Sequence, residues 1–140
     1  MKCAMSDFIY LASQSPRRRQ LLDQIGVAHQ LLLPAADEDA EALEAILPNE
    51  APADYVQRVT RSKSDAAWQR WRMQGLPPAP ILCADTTVAL GERILGKPAD
   101  AAEAAAMLQM LSGQQHQVYT AVVLLDPQSG ARQTCCNVSQ

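Results

Sequence analysis

Pro80-Ile81-Leu82-Cys83-Ala84-Asp85-Thr86-Thr87-Val88-Ala89-Leu90 is the stretch whose reading decides the fold. Residues 80–84 form an apolar run without polar alternation, the pattern of a strand covered on both faces in a sheet flanked by helices. Asp85 stands at the end of that run, and residues 86–90 continue in β-favouring side chains up to the turn signal at Gly91. Open α/β sheets bind their ligands at the carboxyl ends of strands, so Asp85 is a candidate to hold a metal or orient a water. An aspartate after a strand is equally an ordinary turn or cap residue when taken alone.

Upstream, Phe8-Ile9-Tyr10-Leu11-Ala12 is a short β-favouring run that leads into Ser13-Gln14-Ser15-Pro16. Ser15 suits a helix N-cap and Pro16 the first helical position, and the helix continues through the apolar stripe Leu21, Leu22 and Ile25 to a stop at Gly26. Val27 to Leu33 reads as a second strand, followed by the acidic stretch Asp37-Glu38-Asp39-Ala40-Glu41. From Pro52, the residues Tyr55, Val56, Val59, Ala66, Ala67 and Trp71 predict a long amphipathic helix whose polar complement is Arg58, Arg61, Lys63 and Arg70. It ends at Gly75-Leu76-Pro77-Pro78.

Downstream, Asp100 and Glu103 have capping-box spacing for an alanine-rich helix through Met107, Leu108 and Leu111 that stops at Gly113. Val118 to Leu125 is a strong strand, and Asp126-Pro127-Gln128-Ser129-Gly130 a hairpin-like turn into a strand over 134–138. Alternating strands and helices predict one α/β domain, with no internal repeat, linker or low-complexity segment.

With 140 residues, 48% of them hydrophobic, the chain can bury a real core. A formal charge of -3 and a pI near 5.3 argue against a general nucleic-acid binder, which needs many cation-phosphate contacts. The N-terminus carries Asp7 where a signal peptide needs a long apolar run, and no later run approaches membrane-spanning length, so a soluble cytoplasmic protein is expected. Cys3, Cys83, Cys135 and Cys136 form no C-x-x-C pair and no zinc spacing, and are expected to be reduced thiols that mostly pack in the core. Trp68 and Trp71 on the basic helix could stack bases, but packing is the stronger reading. His29 reads as an ordinary strand residue, and neither His29 nor His116 has the paired spacing of metal ligands.

Further candidates are anion-binding in character. Ser13, Ser15, Arg17 and Arg18 place hydroxyls and guanidinium groups where a strand feeds a helix N-terminus, which favours phosphate. A Ser-capped helix with exposed arginines needs no ligand, however. Lys63 and Lys97 can act as point charges against a triphosphate or stand as solvated lysines, and Glu38 offers a second carboxylate for a cation or belongs to a solvated face.

In order and approximate spacing, several segments together resemble the Maf-like nucleoside triphosphate pyrophosphatases along nearly the whole chain. They are Leu11-Ala12-Ser13-Gln14-Ser15-Pro16-Arg17-Arg18, Glu38, Arg61-Ser62-Lys63, Ala84-Asp85-Thr86-Thr87-Val88, Leu95-Gly96-Lys97-Pro98, and Leu111-Ser112-Gly113 with His116, Val118 and Thr120. The resemblance implies an α/β domain with a mixed twisted sheet, flanking helices and a nucleotide cleft at the strand ends. It implies that Asp85 accepts the proton of an attacking water. Glu38 and Asp85 would bind a divalent cation, Mg²⁺ or Mn²⁺, and Ser13, Arg17, Arg18, Lys63 and Lys97 would hold the phosphates. Arg17 and Thr86 differ from the tryptophan and glutamine of the 7-methyl-GTP branch, so the chain is similar to the dTTP/UTP branch and a homodimer is expected. Family members continue for several more elements, so the single domain over 1–140 is expected to be incomplete at its C-terminus. A nucleotide-binding regulator of septum formation without turnover is the second functional reading, and a single-stranded nucleic-acid binder the third.

Overall fold

The computed structural model describes residues 7–13, 15–34, 43–95, 100–113 and 115–139. In chain order its elements are β1 (Ile9–Leu11), α1 (Pro16–Gln24), β2 (His29–Leu31), α2 (Pro52–Gln74), β3 (Ile81–Leu90), β4 (Arg93–Leu95), α3 (Ala101–Leu111), β5 (Gln117–Leu125) and β6 (Arg132–Ser139). The strands form one six-stranded sheet in the order β2-β1-β3-β5-β6, with β4 paired to β3 off that path. Pairing is parallel from β2 through β1 to β3 and antiparallel from β3 to β4, β5 and β6, so the expected mixed α/β sheet is present.

Local signals explain most of the element ends. The Ser15 side chain accepts a hydrogen bond from the Arg18 backbone N–H with Pro16 at the first helical position, and Asp100 Oδ1 accepts one from the Glu103 N–H at 2.8 Å. Gly75, with φ of 60°, closes α2 while its N–H bonds the Arg72 carbonyl and the Leu76 N–H bonds the Trp71 carbonyl. Strands β1 and β2 are three residues each, shorter than the runs that announce them. The short strand β4 carries no propensity signal strong enough to separate it from a turn.

The helix that holds the sheet is α2. Pro52, Tyr55, Val56, Val59, Thr60, Ser64, Ala67 and Arg70 are buried along one stripe, which packs on β3 and β5. One apolar cluster gathers Tyr10, Leu32, Ala67, Ala79, Ile81, Cys83 and Leu125, with Phe8, Trp68, Trp71 and Leu76 against it. Each fully buried aliphatic side chain contributes roughly 1.5–3 kcal/mol, against about 0–1 kcal/mol for an exposed ion pair, so this contact outweighs surface pairs such as Arg132 with Asp65.

Several expectations are corrected. Arg70 is not part of the polar face; it is buried three residues after Ala67 on the stripe that meets the sheet, and its guanidinium donates to the Leu32 carbonyl at 3.0 Å, which satisfies a charge that its residue type alone would place in water. The stripe on α1 is not core, since Leu21 and Ile25 are exposed and α1 buries no residue; α3 likewise buries none. Of the cysteines, only Cys83 packs in the core, where burial pushes its thiol up to about 12. Cys135 is exposed and Cys136 half-buried, because they alternate along β6, and Cys3 lies outside the described residues. The tryptophans are packing residues: Trp68 donates to the Pro127 carbonyl at 2.9 Å and Trp71 to the Pro77 carbonyl at 3.0 Å. His29 stands in β2 as expected.

An irregular segment over 43–50 is tied to α2 by side chains. The Tyr55 hydroxyl donates to the Glu44 carbonyl at 2.6 Å, Arg58 donates to the Ala45 carbonyl at 2.6 Å, and Arg58 grips both oxygens of Glu50 at 2.6 and 2.9 Å. Arg58→Ala should therefore release this segment, and limited proteolysis should cut within 43–50 several-fold faster while the thermal midpoint moves little. An unchanged cleavage rate would show that Arg58 does not anchor it.

At the β5–β6 turn, Gly130 has φ of +79°, and an added Cβ would stand 2.7 Å from the Trp68 ring, itself fixed by its hydrogen bond to Pro127. Gly130→Ala combines a disallowed conformation with overpacking and should cost about 1–3 kcal/mol, read as a lower urea midpoint. A midpoint equal to wild type would mean that the turn is not locked against Trp68.

Candidate functional site

Strand β3 is paired unequally on its two edges. Along one edge, β5 accompanies it from Ile81 to Ala89. On the other, β1 pairs only with Ile81 and Leu82, and β4 only with Val88, Ala89 and Leu90. Between Cys83 and Thr87 no described strand pairs on that side. The result is a notch between the carboxyl ends of β1 and β4, with Asp85 and Thr86 at its centre.

Successive strand residues point to opposite faces, so Asp85 and Thr86 serve different sides of this notch. Asp85 shares its face with Ile81 and Cys83 and meets α2: Lys63 Nζ donates to Asp85 Oδ1 at 3.2 Å and to Glu44 Oε1 at 2.9 Å. These side chains are 23% exposed for Lys63, 22% for Glu44 and 17% for Asp85, so water screens their charges only in part. Burial works against the Lys63 ammonium, but the Glu44 hydrogen bond and the Asp85 charge outweigh it and raise the lysine pKa above its ordinary value. Lys63 is thus a firmly protonated cation.

Thr86 meets α1. Arg18 donates through one terminal nitrogen to Ser13 Oγ at 3.1 Å and through the other to Thr86 Oγ1 at 3.2 Å. Ser13 Oγ also accepts from the Ser15 N–H at 3.2 Å, and Thr86 Oγ1 lies 3.4 Å from Thr120 Oγ1 on the neighbouring strand. Burial lowers the Arg18 pKa and the charge of Asp85 opposes that shift, which shows that the two sides of the notch feel each other electrostatically. The site therefore has a guanidinium fork with hydroxyls on one side and an ammonium between two carboxylates on the other. It can receive an anion with several oxygens and hold a carboxylate close to it.

Of the residues singled out from sequence, the structure brings together Ser13, Arg18, Lys63, Asp85 and Thr86. It does not join Arg17 to them: that side chain is exposed on the first turn of α1 and makes no hydrogen bond or ion pair with another described residue. Glu38 and Lys97 lie outside the described residues. Glu44 was missed. Its segment has no periodicity, and its approach to Lys63 depends on the Tyr55 and Arg58 contacts, which no local pattern reveals.

The family described as Maf-like protein matches residues 8–140. Among curated relatives, the chain is similar to the dTTP/UTP pyrophosphatase of Albidiferax ferrireducens, with 69% identity over 120 residues that cover 86% of this chain and 60% of the relative. It is also similar to the proteins of that name from Polaromonas sp., at 66% identity over 85% of this chain and 59% of the relative, and from Cupriavidus metallidurans, at 63% over 86% and 60%. The chain thus spans about 60% of the length of the first of these relatives. With the matched residues running from the strand before the Ser13–Arg18 cluster to the last strand of the sheet, the chain belongs to the Maf-like family.

Proposed function

We propose that the protein is a divalent-metal-dependent nucleoside triphosphate pyrophosphatase that converts dTTP and UTP, and modified pyrimidine nucleotides, to the monophosphate and pyrophosphate. The observation that carries this reading is the Lys63–Asp85 contact inside the open notch of β3, opposite the Arg18 fork. The names of the relatives favour the pyrimidine substrates. The chain's net negative charge favours a compact nucleotide over nucleic acid, whose binding needs many cation-phosphate contacts.

A triphosphate carries about four negative charges, which repel an incoming hydroxide unless cations surround its oxygens. Arg18 supplies a planar fork and Lys63 a point charge, and Ser13 and Thr86 hold the fork in place. In this scheme Asp85 takes the proton of a water as the water oxygen bonds to the α-phosphorus. The bond from that phosphorus to the bridging oxygen breaks, and pyrophosphate leaves with its electrons.

Asp85 offers one oxygen donor of the kind that magnesium and manganese ions take. No cluster of three acidic, histidine or cysteine ligands occurs among the described residues, and such ions commonly take one or two carboxylates with water and substrate phosphate completing the shell. Asp85 and Glu38 would hold the ion, which when bound neutralises charge on the phosphate oxygens.

Asp85→Asn in the full-length protein should keep nucleotide binding, seen as thermal stabilisation by dTTP, while pyrophosphate release falls by about 10²–10⁴-fold. Turnover near wild type would remove Asp85 from the role of base. A wild-type protein that is stabilised by dTTP yet releases no pyrophosphate would instead support a nucleotide-binding regulator.

The preference among bases is assigned to Arg17 and Thr86. Arg17→Trp combined with Thr86→Gln should lower kcat/KM for dTTP and UTP relative to 7-methyl-GTP by about tenfold or more, because a pocket matched to one base leaves polar groups unpaired against another. An unchanged ratio would show that these positions do not read the base.

A further inference from the structure

Lys63 has two acidic partners, and only one of them lies on the sheet. The second, Glu44, belongs to the irregular segment over 43–50, whose contacts with α2 converge on bringing its carboxylate to Nζ at 2.9 Å. Its own carbonyl receives the Tyr55 hydroxyl, the next carbonyl receives Arg58, and Glu50 closes the segment by gripping Arg58 and accepting from the Leu47 N–H at 3.3 Å. Three separate ties thus act on a segment with no strand and no long helix of its own.

A lysine ammonium is a compact charge on a flexible four-carbon stem with three donors, and one acceptor leaves it free to swing. Two acceptors at 2.9 and 3.2 Å, from elements held independently, define its position. The third donor remains for a ligand oxygen. From this geometry we infer that Glu44 is a positioning residue: it holds the Lys63 ammonium on Asp85 before substrate arrives, so that the cation and the base present a fixed geometry to a phosphate. The role of the pair in turnover rests on the pyrophosphatase reading above; the positioning itself does not.

The consequence is a separation between binding and rate. Arg18 and the hydroxyls around it still recognise the anion when Glu44 is gone, but Lys63 no longer stands in one place, and misplacement of about 1 Å in a reacting constellation can cost as much as 10²-fold in rate. Glu44→Ala should therefore lower kcat by about tenfold and leave KM within about twofold. Glu44→Gln keeps an oxygen that accepts from the ammonium and has nearly the same shape, so it should recover most of the lost rate.

The test uses the full-length protein labelled with ¹⁵N-lysine, together with the two Glu44 variants. In the ligand-free protein, the Lys63 ammonium resonance should show slowed hydrogen exchange in wild type and Glu44→Gln, and lose that protection in Glu44→Ala. Steady-state pyrophosphate release from dTTP then supplies kcat and KM. Equal protection in wild type and Glu44→Ala overturns the inference whatever the activity. So does a kcat for Glu44→Ala within about twofold of an active wild type, or a Glu44→Gln variant as impaired as Glu44→Ala. If protection follows the expected order but wild type releases no pyrophosphate, the positioning of Lys63 stands and the pyrophosphatase reading fails.

Discussion

Strand β3 is hydrogen-bonded along one edge to β5 and, at the two ends of its other edge, to the separate short strands β1 and β4. Backbone groups that no neighbouring strand satisfies seek partners elsewhere, and a stretch of open edge inside a sheet is a place where chain or ligand must approach. Its position follows from strand length. Because β1 stops at Leu11, its edge contact with β3 ends where the Ala12 N–H bonds the Leu82 carbonyl, and from the first turn of α1 Arg18 reaches Thr86. The apolar stripe of α2 on β3 and β5 brings Lys63 to the opposite face.

The charges in the notch are arranged so that each is countered. Lys63 is shared by Asp85 and Glu44, and Arg18 is spread over two hydroxyls with Asp85 in electrostatic range. A partly buried cation with two carboxylates keeps its proton, whereas the same lysine in an apolar setting would tend to lose it. Two cations, Lys63 and Arg18, thus face two carboxylates, Asp85 and Glu44, and the formal charges of the notch balance.

What the sequence discloses differs by residue. Asp85 is a candidate in sequence because it follows an apolar run, a place that serves a turn or cap equally well; β3 instead continues through it to Leu90, so Asp85 stands in mid-strand, at the stretch that β1 and β4 leave unpaired. Ser15, Pro16, Asp100 and Gly75 are legible because caps obey local rules, and each acts as its type predicts. Arg18 and Lys63 are candidates in sequence as cations at a helix start and on a polar helix face, and it is the family resemblance that sets them apart from the solvated cations such residues normally are. Arg70 misleads because its charge suggests the polar face, although its spacing from Ser64 and Ala67 puts it on the buried stripe, and the Leu32 carbonyl that makes burial tolerable is not visible in the local sequence. Glu44 is illegible for a related reason: its place is set by long-range side-chain contacts to a segment without periodicity. The exposed apolar residues of α1 show the same limit, since a stripe at helical spacing says that a face is apolar and not what covers it.

The central claim is that the notch of β3 receives the phosphates. A crystal structure of the full-length protein with magnesium and a non-hydrolysable α,β-imido analogue of dTTP tests it most directly. The phosphate chain should lie between the ends of β1 and β4, with Arg18 and Lys63 on its oxygens and a water held by Asp85 about 3–3.5 Å from the α-phosphorus. The contrasting location is the groove of about 220 Å³ between α2 and β6, lined by Asp54, Gln57, Arg58, Arg61 and Thr134, which also offers two guanidinium groups. Phosphates seated there, with Asp85 facing no part of the nucleotide, would contradict the account.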